Sequence, residues 1–104
     1  MPDFSSSFSG LALNRQITHE ELIRIVRFMV AAEYEAVQLY MQVAESTDNE
    51  LAKTVLKDIS DEELIHAGEF LRLLRELSPD EERLYDEGAQ EVEEEIEKLK
   101  LSPD

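Results

Sequence analysis

Apolar residues recur every three or four positions through most of the chain, the period of an α-helix with one face turned inward. Polar breaks divide the pattern into successive runs. In the first run Leu22, Ile25, Val26, Met29, Ala36, Val37, Tyr40, Val43 and Ala44 form the stripe, which fades at Glu45. Thr18 and Glu21 precede it at the spacing of a capping box, so helix one is expected to begin at Thr18. In the second run Leu51, Val55, Leu56, Ile59, Ala67, Phe70, Leu73, Leu74 and Leu77 repeat in the same way. It follows a turn of Ser46, Thr47, Asp48 and Asn49, where Thr47 and Glu50 again have capping-box spacing. So short a turn between two long helices predicts an antiparallel hairpin. Ser78-Pro79-Asp80-Glu81 is the sharpest local signal: a serine cap, a proline at the first helical position and a glutamate at the third. It opens a shorter third helix with Leu84, Tyr85, Val92, Ile96 and Leu99 on one face, weakened by about 1 kcal/mol at Gly88.

These runs predict an all-α domain over residues 18–101, preceded by a flexible, serine-rich arm at 1–17. The final Ser102-Pro103-Asp104 repeats the opening of helix three. It reads as a further helix start, so a longer polypeptide is expected, with chance recurrence of a cap motif as the alternative. A chain of 104 residues forms one domain at most, and a hairpin of this size leaves a face to be covered by another copy.

Charge and composition narrow the function. Ten Lys and Arg stand against 25 Asp and Glu, a net charge of −15. No basic stripe exists to neutralise phosphates, which excludes a nucleic-acid partner, and anionic membrane surfaces are excluded on the same ground. A negative field concentrates cations, although solubility alone accounts for the acidity equally well. The absence of cysteine excludes disulfides, thiolate-bound zinc, iron–sulfur clusters and thiol catalysis. The N-terminus lacks the basic segment of a signal peptide, and no apolar run reaches membrane-spanning length, so a cytoplasmic protein is expected.

The candidate chemistry interrupts the apolar stripes. Glu33 falls four residues after Met29 and seven before Tyr40, on the inward face of helix one. Glu63 and His66 fall on the inward face of helix two as Glu-x-x-His, carboxylate and imidazole one turn apart. A single carboxylate on such a stripe is more often an edge residue than a ligand. Three ligand-type residues at matching heights, with no Lys or Arg at neighbouring stripe positions, point to a metal. Di-metal carboxylate bundles take Glu from two helices and Glu-x-x-His from two others. This chain has one helix of each kind, so a two-fold dimer completes both a four-helix bundle and the site. Two Glu33 and two Glu63 then match the charge of two divalent cations. Imidazole and carboxylate without thiolate suit iron, manganese or zinc, and the residues do not choose among them.

The segments Ala32-Glu33-Tyr34-Glu35-Ala36-Val37-Gln38-Leu39-Tyr40, Ser46-Thr47-Asp48 and Asp61-Glu62-Glu63-Leu64-Ile65-His66-Ala67-Gly68-Glu69-Phe70 resemble the encapsulated ferritins. The resemblance runs from Arg24 to Leu77 and implies a ferritin-like hairpin with a shorter C-terminal helix. It also implies a homodimer assembled into a decameric ring, and a ferroxidase that oxidises Fe(II) with oxygen at a di-iron site between two subunits. It further implies iron storage inside an encapsulin nanocompartment, with the encapsulin shell protein as partner. By the same resemblance Glu33, Glu63 and His66 are iron ligands with two irons per dimer, and Tyr40 is the aromatic beside them. Glu35 lies on a route of metal access, where Ala32 replaces a second acidic residue of many relatives. From the residues themselves, Glu62 reads as a solvated residue with a rim contact to the site as the alternative, and Glu69 as a surface glutamate with an imidazole partner as the alternative. Met29 and Met41 read as core, and His19 as carrying no function. The alternatives are a non-catalytic metal-binding helical assembly module and a rubrerythrin-like di-metal enzyme.

Overall fold

The computed structural model describes residues 12–101. It holds three helices: α1 (His19–Ser46), α2 (Glu50–Leu77) and α3 (Pro79–Leu101). The arm expected at 1–17 and the Ser-Pro-Asp recurrence fall largely outside the described residues.

Local chemistry sets the helix ends. Thr18 caps α1 with a full capping box: its hydroxyl accepts from the Glu21 amide, and Glu21 accepts from the Thr18 amide. The Arg15 guanidinium donates two 2.8 Å hydrogen bonds to Glu21, so the chain leading into α1 is tied to its first turn. That contact, with the Thr18 amide second, lowers the Glu21 carboxyl to a pKa of about 2. The second cap differs from expectation. Asn49, not Thr47, caps α2 by accepting from the Ala52 amide, and the Thr47 hydroxyl instead accepts from the Asn49 amide. Asn and Thr both cap well, and the shorter turn places Asn49 at the boundary. Ser78 ends α2 and begins α3: its amide donates to the Leu74 carbonyl, and its carbonyl accepts from the Glu81 amide.

α1 and α2 pack antiparallel along their length. His19 Nε2 at the start of α1 donates to the Leu77 carbonyl at the end of α2 (2.9 Å), closing the open end of the hairpin. The buried residues lie on one narrow seam. On α1 these are Ile23, Val26, Val30 and Ala44; on α2 they are Ser60, Ala67 and Leu74, seven residues apart. This is the heptad spacing of paired helices. Ile23, Val26 and Leu74 form the tightest cluster, with Leu22, Phe70 and Leu77 against it.

The buried seam is therefore narrower than the apolar stripes of the sequence. Met29 and Val43 on α1, and Leu51, Val55 and Leu73 on α2, are exposed, while Ile23 and Val30 enter the seam instead. Two helices bury only what lies between them, and a two-residue-wide apolar face on each needs a second layer. α3 buries no residue at all, and Leu84, Tyr85, Val92, Ile96 and Leu99 are exposed along it. Its base is held by charge. Arg27 of α1 donates to Glu81 through Nε and Nη2, the closest contact 2.5 Å, and the Tyr85 hydroxyl donates to the same carboxylate. Arg27 accordingly lowers the Glu81 carboxyl, and Glu81 raises the Tyr85 phenol. The molecule measures 61 × 46 × 19 Å, a single layer of helices. No described helix is long and apolar enough to cross a membrane.

Candidate metal centre

Glu33 and Glu63 occupy seam positions. Glu33 stands three residues after Val30, and Glu63 lies between Ser60 and Ala67. The heptad that packs the hairpin therefore brings the two carboxylates to one level near the middle of both helices. His66 precedes Ala67 and stands at the edge of the seam. Glu33 Oε2 and Glu63 Oε2 each lie 3.8 Å from His66 Nδ1. The two carboxylate side chains are 18% and 20% exposed, and the imidazole is 49% exposed. Inward placement of the glutamates agrees with the sequence; His66 is more open than expected, because it flanks the seam rather than filling it.

A separation of 3.8 Å is too long for a hydrogen bond. It suits two ligands of one cation, which at 2.0–2.2 Å from each stand up to about 4.2 Å apart. One donor atom from each of the three residues lies within 4.8 Å of the others. Glu33 Oε2 is buried with no hydrogen-bond partner. Among the described residues neither Glu33 nor Glu63 pairs with a lysine or arginine; their only ion-pair contact is His66. Two half-buried carboxylates without a cationic partner are unfavourable unless a cation joins them. The donor set fits iron, and equally manganese or zinc.

The surroundings show where the centre opens. Along the seven-residue register of Ile23, Val30, Val37 and Ala44 on α1 the preceding residues are Leu22, Met29, Ala36 and Val43; along that of Ser60, Ala67 and Leu74 on α2 they are Ile59, His66 and Leu73. In an antiparallel pair these two rows flank the same side of the seam. Beyond them run Ile25, Ala32 and Leu39 on α1, and Val55, Glu62 and Glu69 on α2. His66 thus stands in the middle of a flat, mainly apolar face, and the centre opens onto it.

The other candidate residues are not gathered there. Tyr40 is half-buried seven residues beyond Glu33, about 10 Å further along the helix. With Tyr34, Glu35 and Leu39 it lines a shallow groove on α1. Glu62 and Glu69 are exposed on the α2 border of the apolar face, and neither is shown bonded to His66. His19 has a structural role that the sequence did not suggest; only its position opposite the end of α2 could have revealed it.

Residues 25–101 match the family model described as rubrerythrin. The fold also matches a crystal structure of the encapsulated ferritin domain from Pyrococcus furiosus, with a TM-score of 0.80 and 34% identity over 88% of this chain and 94% of that one. The chain belongs to the rubrerythrin family of ferritin-like proteins and, within it, to the encapsulated ferritins. Among curated relatives, the ferritin-like-encapsulin shell fusion protein of Pyrococcus furiosus is 37% identical over 90 residues, 85% of this chain and 26% of that protein. The encapsulin nanocompartment cargo protein EncC of Myxococcus xanthus is 38% identical over 87 residues, 84% of this chain and 62% of that protein. The chain thus spans about a quarter of the first and about three fifths of the second.

Proposed function

We propose that two copies of this chain form a ferroxidase, with Fe(II) and oxygen as substrates, at a di-iron site between them. The observation that carries this reading is the convergence of Glu33, Glu63 and His66 on one point of an uncovered apolar face. A two-fold axis through that face brings six such residues together and buries the exposed rows of both hairpins. Each copy supplies two carboxylates, so the four negative charges of the pair match two divalent cations. Glu33 and Glu63 would hold the metal ions through their carboxylates, and each His66 would add an imidazole ligand. The bound iron supplies the chemistry: each Fe(II) gives one electron to oxygen and becomes Fe(III). The carboxylates favour that product, because the higher charge interacts more strongly with them. Glu62, on the border of the face onto which the site opens, is an acidic residue on its approach, while Tyr40 and Glu35 stand further along α1 and act at most through the surroundings of the site. The names of the two curated relatives, an encapsulin shell fusion protein and an encapsulin cargo protein, support a place for this chain inside a cytoplasmic encapsulin compartment with the shell protein as its partner. The decameric ring and a role in iron storage are part of this proposal and rest on the resemblance to the encapsulated ferritins alone.

Fe(II) loading without oxygen, then exposure to air with absorbance and oxygen consumption recorded, tests the reading. Wild-type protein should oxidise iron well above the rate in buffer, and Glu63→Ala and His66→Ala should fall to that background. Full activity in Glu63→Ala refutes the site.

A further inference from the structure

Two buried side-chain atoms among the described residues have no hydrogen-bond partner, Glu33 Oε2 and Ser60 Oγ. The metal centre accounts for the first. Nothing so far accounts for the second. Ser60 is 2% exposed and is the buried polar residue of the described seam, at a position where Ala67 and Leu74 follow at seven-residue intervals. Serine and threonine inside helices commonly satisfy themselves by donating to the carbonyl four residues back. Ser46 does so to Gln42 (2.7 Å), and Thr54 to Glu50 (2.9 Å). Ser60 does not, so its donor is kept in the seam and left unused.

Its place in the helix indicates where that donor goes. Ser60 precedes Glu63 by three residues, one turn back on the same face. Side chains on a helix lean toward its N-terminus, so the Glu63 side chain leans over the turn that carries Ser60. One Glu63 oxygen faces His66, and a carboxylate has lone pairs on both oxygens. We propose that Ser60 is a positioning residue of the metal centre, its hydroxyl donating to the Glu63 carboxylate when that carboxylate holds a divalent cation. This rests on the metal-centre reading above and adds a residue to it. The hydrogen bond fixes the orientation of the carboxylate and leaves its other lone pairs for the metal. Hydrogen bonds of this kind to ligating groups typically change metal affinity by about 10–100-fold.

Titration calorimetry of the full chain with Zn²⁺, a redox-silent probe, tests the assignment alongside thermal unfolding without metal. Ser60→Ala should weaken Zn²⁺ binding by about 10–100-fold. Its metal-free unfolding midpoint should stay unchanged or rise, because an unpaired buried hydroxyl is removed. Ser60→Thr keeps the hydroxyl and should bind within a few-fold of wild type. Ser60→Val matches Ser60→Thr in size, carries no donor and adds no metal ligand, so it should follow Ser60→Ala. Unchanged Zn²⁺ affinity in Ser60→Ala overturns the proposal, as does a folded Ser60→Thr that binds no better than Ser60→Val. Glu63→Ala in the same titration separates the two levels. If it binds like wild type, the centre itself fails; if it loses Zn²⁺ while the serine variants do not, only the role of Ser60 fails.

Discussion

Glu33→Gln keeps the size of the side chain and removes its charge, so it separates a ligand from an awkward structural carboxylate. Without metal, the variant should be at least as stable as wild type, because an inward carboxylate with an unpartnered oxygen is replaced by a neutral amide. With metal the order should reverse. A cation at 100 times its dissociation constant stabilises the folded form by about 2.7 kcal/mol. In a domain of this size each kcal/mol moves the unfolding midpoint by about 4–8 °C, so wild type should gain about 10–20 °C. Replacing both Glu33 residues of a dimer leaves two carboxylates against two divalent cations. If affinity falls 100-fold, the gain at the same metal concentration shrinks to about 0.4 kcal/mol, or about 2–3 °C. Thermal unfolding by circular dichroism with and without Zn²⁺ measures all four midpoints. A Glu33→Gln protein that is less stable without metal yet keeps the full metal-induced gain refutes the reasoning, and Glu93→Ala on the exposed face of α3 should match wild type throughout.

Leu74→Ala removes a fully buried side chain from the best-packed part of the seam and should lower stability by about 2–5 kcal/mol, read by denaturant unfolding. Glu21 has a folded pKa of about 2 against a reference of 4.5, so its contribution is full above pH 4.5 and is lost as pH falls from there to 2; Arg15→Ala should flatten the unfolding midpoint over that window. On the proposal that each chain holds half a site, Fe²⁺ or Zn²⁺ should shift native mass spectra from small species toward dimers and larger rings. A monomer that binds one iron tightly by itself contradicts the half-site.

Much of the hairpin was legible because its signals are local. Thr18 and Glu21 mark the start of α1 by side chains that bond to amides a few residues away, and Pro79 marks the start of α3 by standing at its first position. The cap of α2 is ambiguous in the sequence because Thr47 and Asn49 both carry the right chemistry within three residues, and the structure uses Asn49. The seam was blurred for a different reason. Periodicity reports which side of a helix is apolar, not how much of that side one neighbour can cover. Met29 and Val30 are both apolar, and only the hairpin shows that Val30 is buried against α2 while Met29 is left outside. Glu33, Glu63 and His66 stand out in the sequence because ligand-type residues on an inward stripe are conspicuous, and the structure brings the three side chains together. Ser60, small and uncharged, passed unnoticed until its hydroxyl proved buried and unpaired.

A core that is a line rather than a volume opens like a zipper. The two ends are unequal: Ile23, Val26 and Leu74 pack the end that His19 closes, so opening starts at the other, beside the turn at Thr47–Asn49, where Leu51 is exposed. Glu33 and Glu63 sit near the midpoint of their 28-residue helices, several turns from that tip. Brief openings beside the turn can therefore come and go while the carboxylates keep their mutual alignment.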